Sequence, residues 1–227
     1  MQGGFRKFLI FVFGELGALP RGFWVVTVLL VLCIGIEAFL VAADLGAFGR
    51  PRIRALAYEY GGFWPGLLDQ WESNYPSQPY VMFLTYGFLH SGQAHLIVNM
   101  ITLWSLGQLV LQRVGILGFA LLYLAALIGG GIGFGLLAPD LTPMVGASGA
   151  LFGLFGGLLS WAYVDRFTLQ EDLWPVVQAV AFLIGLNIAM WWAMNGQLAW
   201  QTHLGGFVAG WIAAMLIDPR PRAMDDD

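Results

Sequence analysis

The chain has 227 residues, 59% hydrophobic and 11% charged, with a mean hydropathy of +0.74, which excludes an ordinary soluble domain and implies a polytopic membrane protein. The net charge of −4, partly owed to the Asp225-Asp226-Asp227 tail, gives no sign of a nucleic-acid partner or a polybasic lipid anchor. A single cysteine, Cys33, excludes an internal disulfide and a cysteine-rich metal site.

Residues Met1 to Pro20 carry Arg6, Lys7 and the short apolar run Phe8 to Phe13, which Glu15 interrupts too early for a signal peptide or a span. An interfacial amphipathic segment is expected there. The first span runs from Phe23 to about Ala43 and contains Glu37. A long polar and aromatic connection follows, Asp44 to His90, with four prolines and the interface-seeking aromatics Trp64, Trp71, Tyr75 and Tyr80. It is too long for a mere connector, so a partly structured element on or in the outer leaflet is expected. The second span is about Ala94 to Leu111, closing at Arg113, and the third about Leu117 to Leu137, ending in a glycine-rich tract.

Pro143 and Gly146 punctuate the start of the fourth span, about Ala147 to Val164, so Ser148 falls in its first turn. The 45 uncharged residues Leu173 to Ile217 must hold two spans, divided by the turn signal Asn195-Gly196: a fifth of about Pro175 to Met194 and a sixth of about Thr202 to Ile217. The fold class is therefore all-α, a polytopic membrane helical bundle of six transmembrane helices. It divides into an N-terminal segment 1–22, a membrane domain 23–217 and a short tail 218–227. With the N-terminus inside, seven Lys and Arg lie on inner segments against three outside (Arg50, Arg52 and Arg54), which favours cytoplasmic termini and puts Ser148 near the outer face.

Ser148 has two readings: a small residue for close helix packing, or a nucleophile whose backbone N–H lies at the positive end of a helix dipole. The polar residues of the other spans weigh on that choice. His203 opens the sixth span from the same side as Ser148. Gly149, Gly153 and Gly157 repeat at i, i+4, i+8, and Gly206 and Gly210 share a face with His203, so the fourth and sixth backbones can approach closely. His95 and Asn99, at i and i+4, share a face at the outer end of the second span, where their N–H groups could serve an oxyanion. One buried polar residue usually satisfies a neighbouring helix, but four at one depth favour chemistry. Zinc fits poorly: no H-E-x-x-H pair occurs, and no carboxylate stands near the histidines within a span. Ala150 breaks a G-x-S-x-G elbow, and no acidic residue is placed as a third member, so a hydrolase here would use a Ser–His dyad without metal or cofactor.

These residues resemble the rhomboid family of intramembrane serine proteases. The resemblance rests on G-A-S-G at Gly146 to Gly149, H-L-I-V-N at His95 to Asn99 and H-L-G-G-F-V-A-G at His203 to Gly210, in the family's order. It implies Ser148 as nucleophile and His203 as general base. It also implies an oxyanion site of His95, Asn99 and the backbone N–H groups of Ala147 and Ser148. His90 matches a histidine of structural role, and Phe152 the aromatic position that packs on the catalytic imidazole. The family's Trp-Arg pair is not evident in Tyr60 to Tyr80, and no acidic residue follows the second span.

The expected partners are transmembrane protein substrates and membrane lipid, and the expected location is a bacterial inner membrane, with the segment Trp191 to Gln201 as a lid over the site. A non-catalytic binder of transmembrane helices or a transporter is the alternative, though no internal repeat supports transport. Glu37 is expected to be structural, either paired with a polar residue such as Asn187 or protonated.

Overall fold

The computed structural model describes residues 19–49, 52–139 and 141–218. The interfacial segment expected up to Pro20 and the tail after Asp218 lie almost wholly outside them. Seven α-helices form among the described residues: α1 (Trp24–Asp44), α2 (Ile53–Gly61), α3 (Gln78–Thr85), α4 (Gln93–Leu137), α5 (Ser148–Thr168), α6 (Trp174–Ala193) and α7 (Trp200–Ile217). By length and apolarity, α1, α4 and α6 qualify as membrane-crossing helices.

α4 holds two arms that correspond to the expected second and third spans. Gly115, with φ 68° and ψ −169°, breaks the helical path between them, a conformation open to glycine and strained for other residues. α5 continues to Thr168, beyond the expected end at Val164. The charged group at Asp165 does not stop it because Arg113, at the end of α4's first arm, meets that carboxylate at 2.6 Å. Arg113 also reaches Asp218 at 3.3 Å and lies over the Trp161 ring, tying α4, α5 and the end of α7 at the pole away from Ser148.

The Asp44 to His90 connection is structured, as its length requires, and its inner part enters the bundle. Phe63, Met82 and Tyr86 are fully buried in the main core. Phe63 exchanges two backbone hydrogen bonds of 2.9 Å with Met144, just ahead of α5. The connection therefore braces the segment that delivers Ser148.

The packing centre is the contact of α5 with α7. A methyl group added at Gly206 would overlap the Gly149 carbonyl, and one at Gly210 would overlap the Gly153 carbonyl. The two backbones touch along the stripe that the glycine spacing implies. On its other side α7 meets the second arm of α4, where a methyl group added at Gly205 would overlap the Gly129 carbonyl and crowd the Gly133 backbone.

Candidate active site

Backbone contact between α5 and α7 fixes how their polar side chains meet. Ser148 is the first residue of α5, with the buried Ala147 as the capping position whose carbonyl accepts from Leu151 N–H at 3.1 Å. His203 lies in the first turn of α7 and is buried. Its Nε2 stands 2.8 Å from Ser148 Oγ, a hydrogen bond between residues 55 apart in sequence. Phe152, one turn after Ser148, stacks on the imidazole with centroids 4.1 Å apart and planes 8° apart. The ring is thus clamped in one plane with one nitrogen on the hydroxyl.

The other nitrogen has a partner that the sequence reading attached elsewhere. His203 Nδ1 lies 2.6 Å from Asn187 Oδ1 on α6. An amide fills the position where no acidic residue was found. Asn187 and His203 both line a cavity of about 590 Å³ between α6 and α7, whose other walls are mainly apolar residues such as Leu183, Ile184, Ile188 and Leu204. Asn187 therefore does not pair with Glu37. Glu37 is buried on α1, where the Arg54 guanidinium meets it at 2.9 Å. Arg54 also bonds Asp44 at 2.7 Å, and with Tyr58 it reaches the His90 carbonyl, at 3.3 and 2.6 Å. The buried carboxylate thus anchors α2 and the strand of chain leading into α4.

His95 and Asn99 sit in the first two turns of α4. His95 Nδ1 faces both Ser91 N–H, at 3.3 Å, and Ser91 Oγ, at 2.9 Å. A backbone N–H can only donate, so Nδ1 is the acceptor and the proton of the neutral ring rests on Nε2. That side of the ring lies against Gly146: an added Cβ there would stand 2.9 Å from Nε2 and 2.6 Å from Cε1. Gly146, at φ 130°, leaves room for the imidazole beside the loop that carries Ser148. Asn99 is buried one turn later and donates from Nδ2 to the His95 carbonyl at 2.8 Å, leaving the second N–H of that amide in hand. At the head of α5, the first N–H groups have no intrahelical acceptor, so those of the first turn add donors at the same end.

His90 is fully buried, its ring 5.3 Å from that of His95. Burial first, and the neighbouring His95 second, push its pKa down to about 4. It belongs to the support behind His95. Gly149, Gly206 and Gly210 are the contact surface of the two helices rather than part of the reacting set. Ser91, Arg54 and Tyr58 were not singled out by the sequence reading. The signal for Ser91 was its i, i+4 spacing ahead of His95; Arg54 and Tyr58 sit in a stretch with no clear period.

Taken together, the arrangement offers a serine hydroxyl, an imidazole on it, an amide behind the imidazole, and N–H donors nearby. A family model described as Rhomboid domain matches residues 77–220, more than half of the chain. That interval contains His90, His95, Asn99, Ser148, Asn187 and His203, and leaves out Glu37 and Arg54. The chain is 32% identical over 138 residues to RHOMBOID-like protein 4 of Arabidopsis thaliana, covering 61% of this chain and 34% of that protein. To RHOMBOID-like protein 5 of the same plant it is 32% identical over 141 residues, 60% of this chain and 43% of the relative. To Rhomboid protease GluP of Bacillus subtilis (strain 168) it is 37% identical over 126 residues, 56% and 24%. The match with each spans less than half of that relative's length.

Proposed function

The chain belongs to the rhomboid family of integral membrane proteins, and we propose that it is an intramembrane serine endopeptidase that cuts transmembrane segments of other proteins near the outer face of the membrane. The observation that carries this reading is the 2.8 Å contact of His203 Nε2 with Ser148 Oγ inside an apolar bundle, where a buried histidine needs a partner and a serine that only packs in a helix's first turn does not need a base.

In this reading six spans cross the bilayer: α1, the two arms of α4, α5, α6 and α7, with both termini cytoplasmic. A substrate helix enters sideways, unwinds, and presents a peptide carbonyl to Ser148. His203 takes the hydroxyl proton as the Oγ–carbonyl bond forms, then gives it to the leaving amine. The oxyanion is received by the backbone N–H groups of Ala147 and Ser148, with His95 Nε2–H and Asn99 as side-chain donors. Water then attacks the acyl-enzyme and releases Ser148. No metal or cofactor enters this sequence of steps. The α6–α7 turn, residues 194–199, is short, so a lid over the site would draw on the helix ends Trp191 and Trp200 as well.

The test is labelling of the purified protein by a fluorophosphonate. Wild type is expected to be labelled and Ser148→Ala not. Equal labelling of both would refute the assignment. Binding of a transmembrane segment without cleavage or labelling would favour a non-catalytic binder.

A further inference from the structure

An imidazole that serves as base must present a lone pair, and its second nitrogen decides which side that is. Asn187 Nδ2 donates to the Leu183 carbonyl of its own helix at 3.1 Å. With that end of the amide committed as donor, the end facing His203 Nδ1 at 2.6 Å is the oxygen, which can only accept. Two acceptors cannot share a hydrogen bond without a proton, so Nδ1 carries it. Nε2 is then left with its lone pair toward Ser148 Oγ–H.

We propose that Asn187 is a positioning residue that holds His203 in the Nδ1–H tautomer, so that nucleophile, base and orienting amide form a relay drawn from α5, α7 and α6. This rests on the protease reading above. When Ser148 attacks, its proton moves to Nε2, and the ring becomes an imidazolium with N–H on both sides. The Asn187 oxygen accepts from Nδ1–H throughout and takes no proton itself, so the positive charge keeps a polar partner within an apolar cavity. Without the amide, neither tautomer is preferred and the ring meets mainly hydrocarbon on that side. Among the described residues, Ser148 from α5 and Asn187 from α6 hold the two ring nitrogens of His203, and His95 on α4 is the other titratable side chain in its surroundings. No carboxylate is among them.

The test compares wild type, Asn187→Leu and Asn187→Asp, full-length in proteoliposomes, cutting a single-span reporter peptide across pH, with fluorophosphonate labelling rates measured alongside. Asn187→Leu is expected to lose about tenfold to hundredfold in kcat, a part of what a general base contributes. Its KM should stay within about twofold. Asn187→Asp keeps an acceptor, so it retains activity within about threefold, and its carboxylate favours the imidazolium and moves the acid limb of kcat/KM to higher pH. The proposal is overturned if Asn187→Leu turns over at the wild-type rate, or if its loss lies in KM alone. It is also overturned if Asn187→Asp is as slow as Asn187→Leu with an unmoved acid limb. Should Asn187→Leu fail to fold, the acid limb of Asn187→Asp decides. An unlabelled wild type would bring down the protease reading and this inference together. A labelled wild type with equally fast labelling of Asn187→Leu would bring down this inference alone.

Discussion

α5 and α6 follow each other in sequence and contribute to the same site, yet they are held in opposite ways. Ten residues of α5 are buried, and it touches α7 backbone to backbone through Gly149 and Gly153. Only Val176, Ala179 and Leu183 are buried on α6, whose C-terminal half shows Ile184, Ile188 and Trp192 to the surroundings. Ser148 and His203, the proposed nucleophile and base, thus sit on a contact with no slack, while Asn187, the proposed orienting amide, sits on a helix with few buried residues. Geometry that must be held to tenths of an ångström is assigned to glycine packing; the wall a substrate would have to pass is assigned to the loosely packed span.

The comparison breaks most severely at Gly206. A Gly206→Val side chain meets the Gly149 carbonyl, and backbone on both sides cannot yield, so a loss of about 3 kcal/mol or more, with loss of activity, is expected. The midpoint of thermal unfolding in a mild detergent reads it. Glu37→Gln removes the charge that Arg54 pairs with behind α4, and a loss of about 1–3 kcal/mol is expected in the same assay, with the proposed activity kept by the protein that remains folded. Unchanged stability with lost activity would instead give Glu37 a role in the chemistry.

Acid probes the tightly packed side through His90. Its folded pKa, about 4, lies below the unfolded value of 6.5, so the unfolded chain binds the proton more readily. Its stabilising contribution is complete above 6.5 and falls as pH drops from there toward 4, by up to about 1.4 kcal/mol per pH unit. Unfolding midpoints measured between those limits should drop more steeply for wild type than for a His90→Gln variant. At the small end, Ile188→Ala on the exposed face of α6 should change stability by less than about 0.5 kcal/mol. A large loss there would show that α6 is held more firmly than its burial implies.

Much of this site was legible in the sequence because its determinants repeat with helical period. Gly149 and Gly153 mark one stripe, Gly206 and Gly210 another, and the spacing of His203 to its glycines points the imidazole at the partner helix. The meeting of Ser148 with His203 follows from such spacing once the two helices are packed; Phe152 on the imidazole was implied by the family resemblance alone, and the approach of His95 to Gly146 is set by the loop before α5, where no helical period runs. Asn187 was legible only as a polar residue in an apolar span. Periodicity gives the face it occupies, but which helix lies opposite is set by tertiary packing, and so the choice between Glu37 and His203 was out of reach. Arg54 escaped for a related reason: its helix is short, polar and aromatic, and its partner Glu37 lies 17 residues away across a turn. The extension of α5 past Asp165 depends on Arg113, 52 residues earlier, a pairing no local pattern encodes.

The central claim is that Ser148 and His203 act as nucleophile and base, and it is tested most directly by cleavage of a single-span membrane substrate reconstituted with the purified protein, the products mapped by mass spectrometry. The account predicts one defined cut near the outer end of the substrate's transmembrane segment by wild type, and none by Ser148→Ala or His203→Ala. Cleavage at the same bond by either variant at the wild-type rate would contradict it.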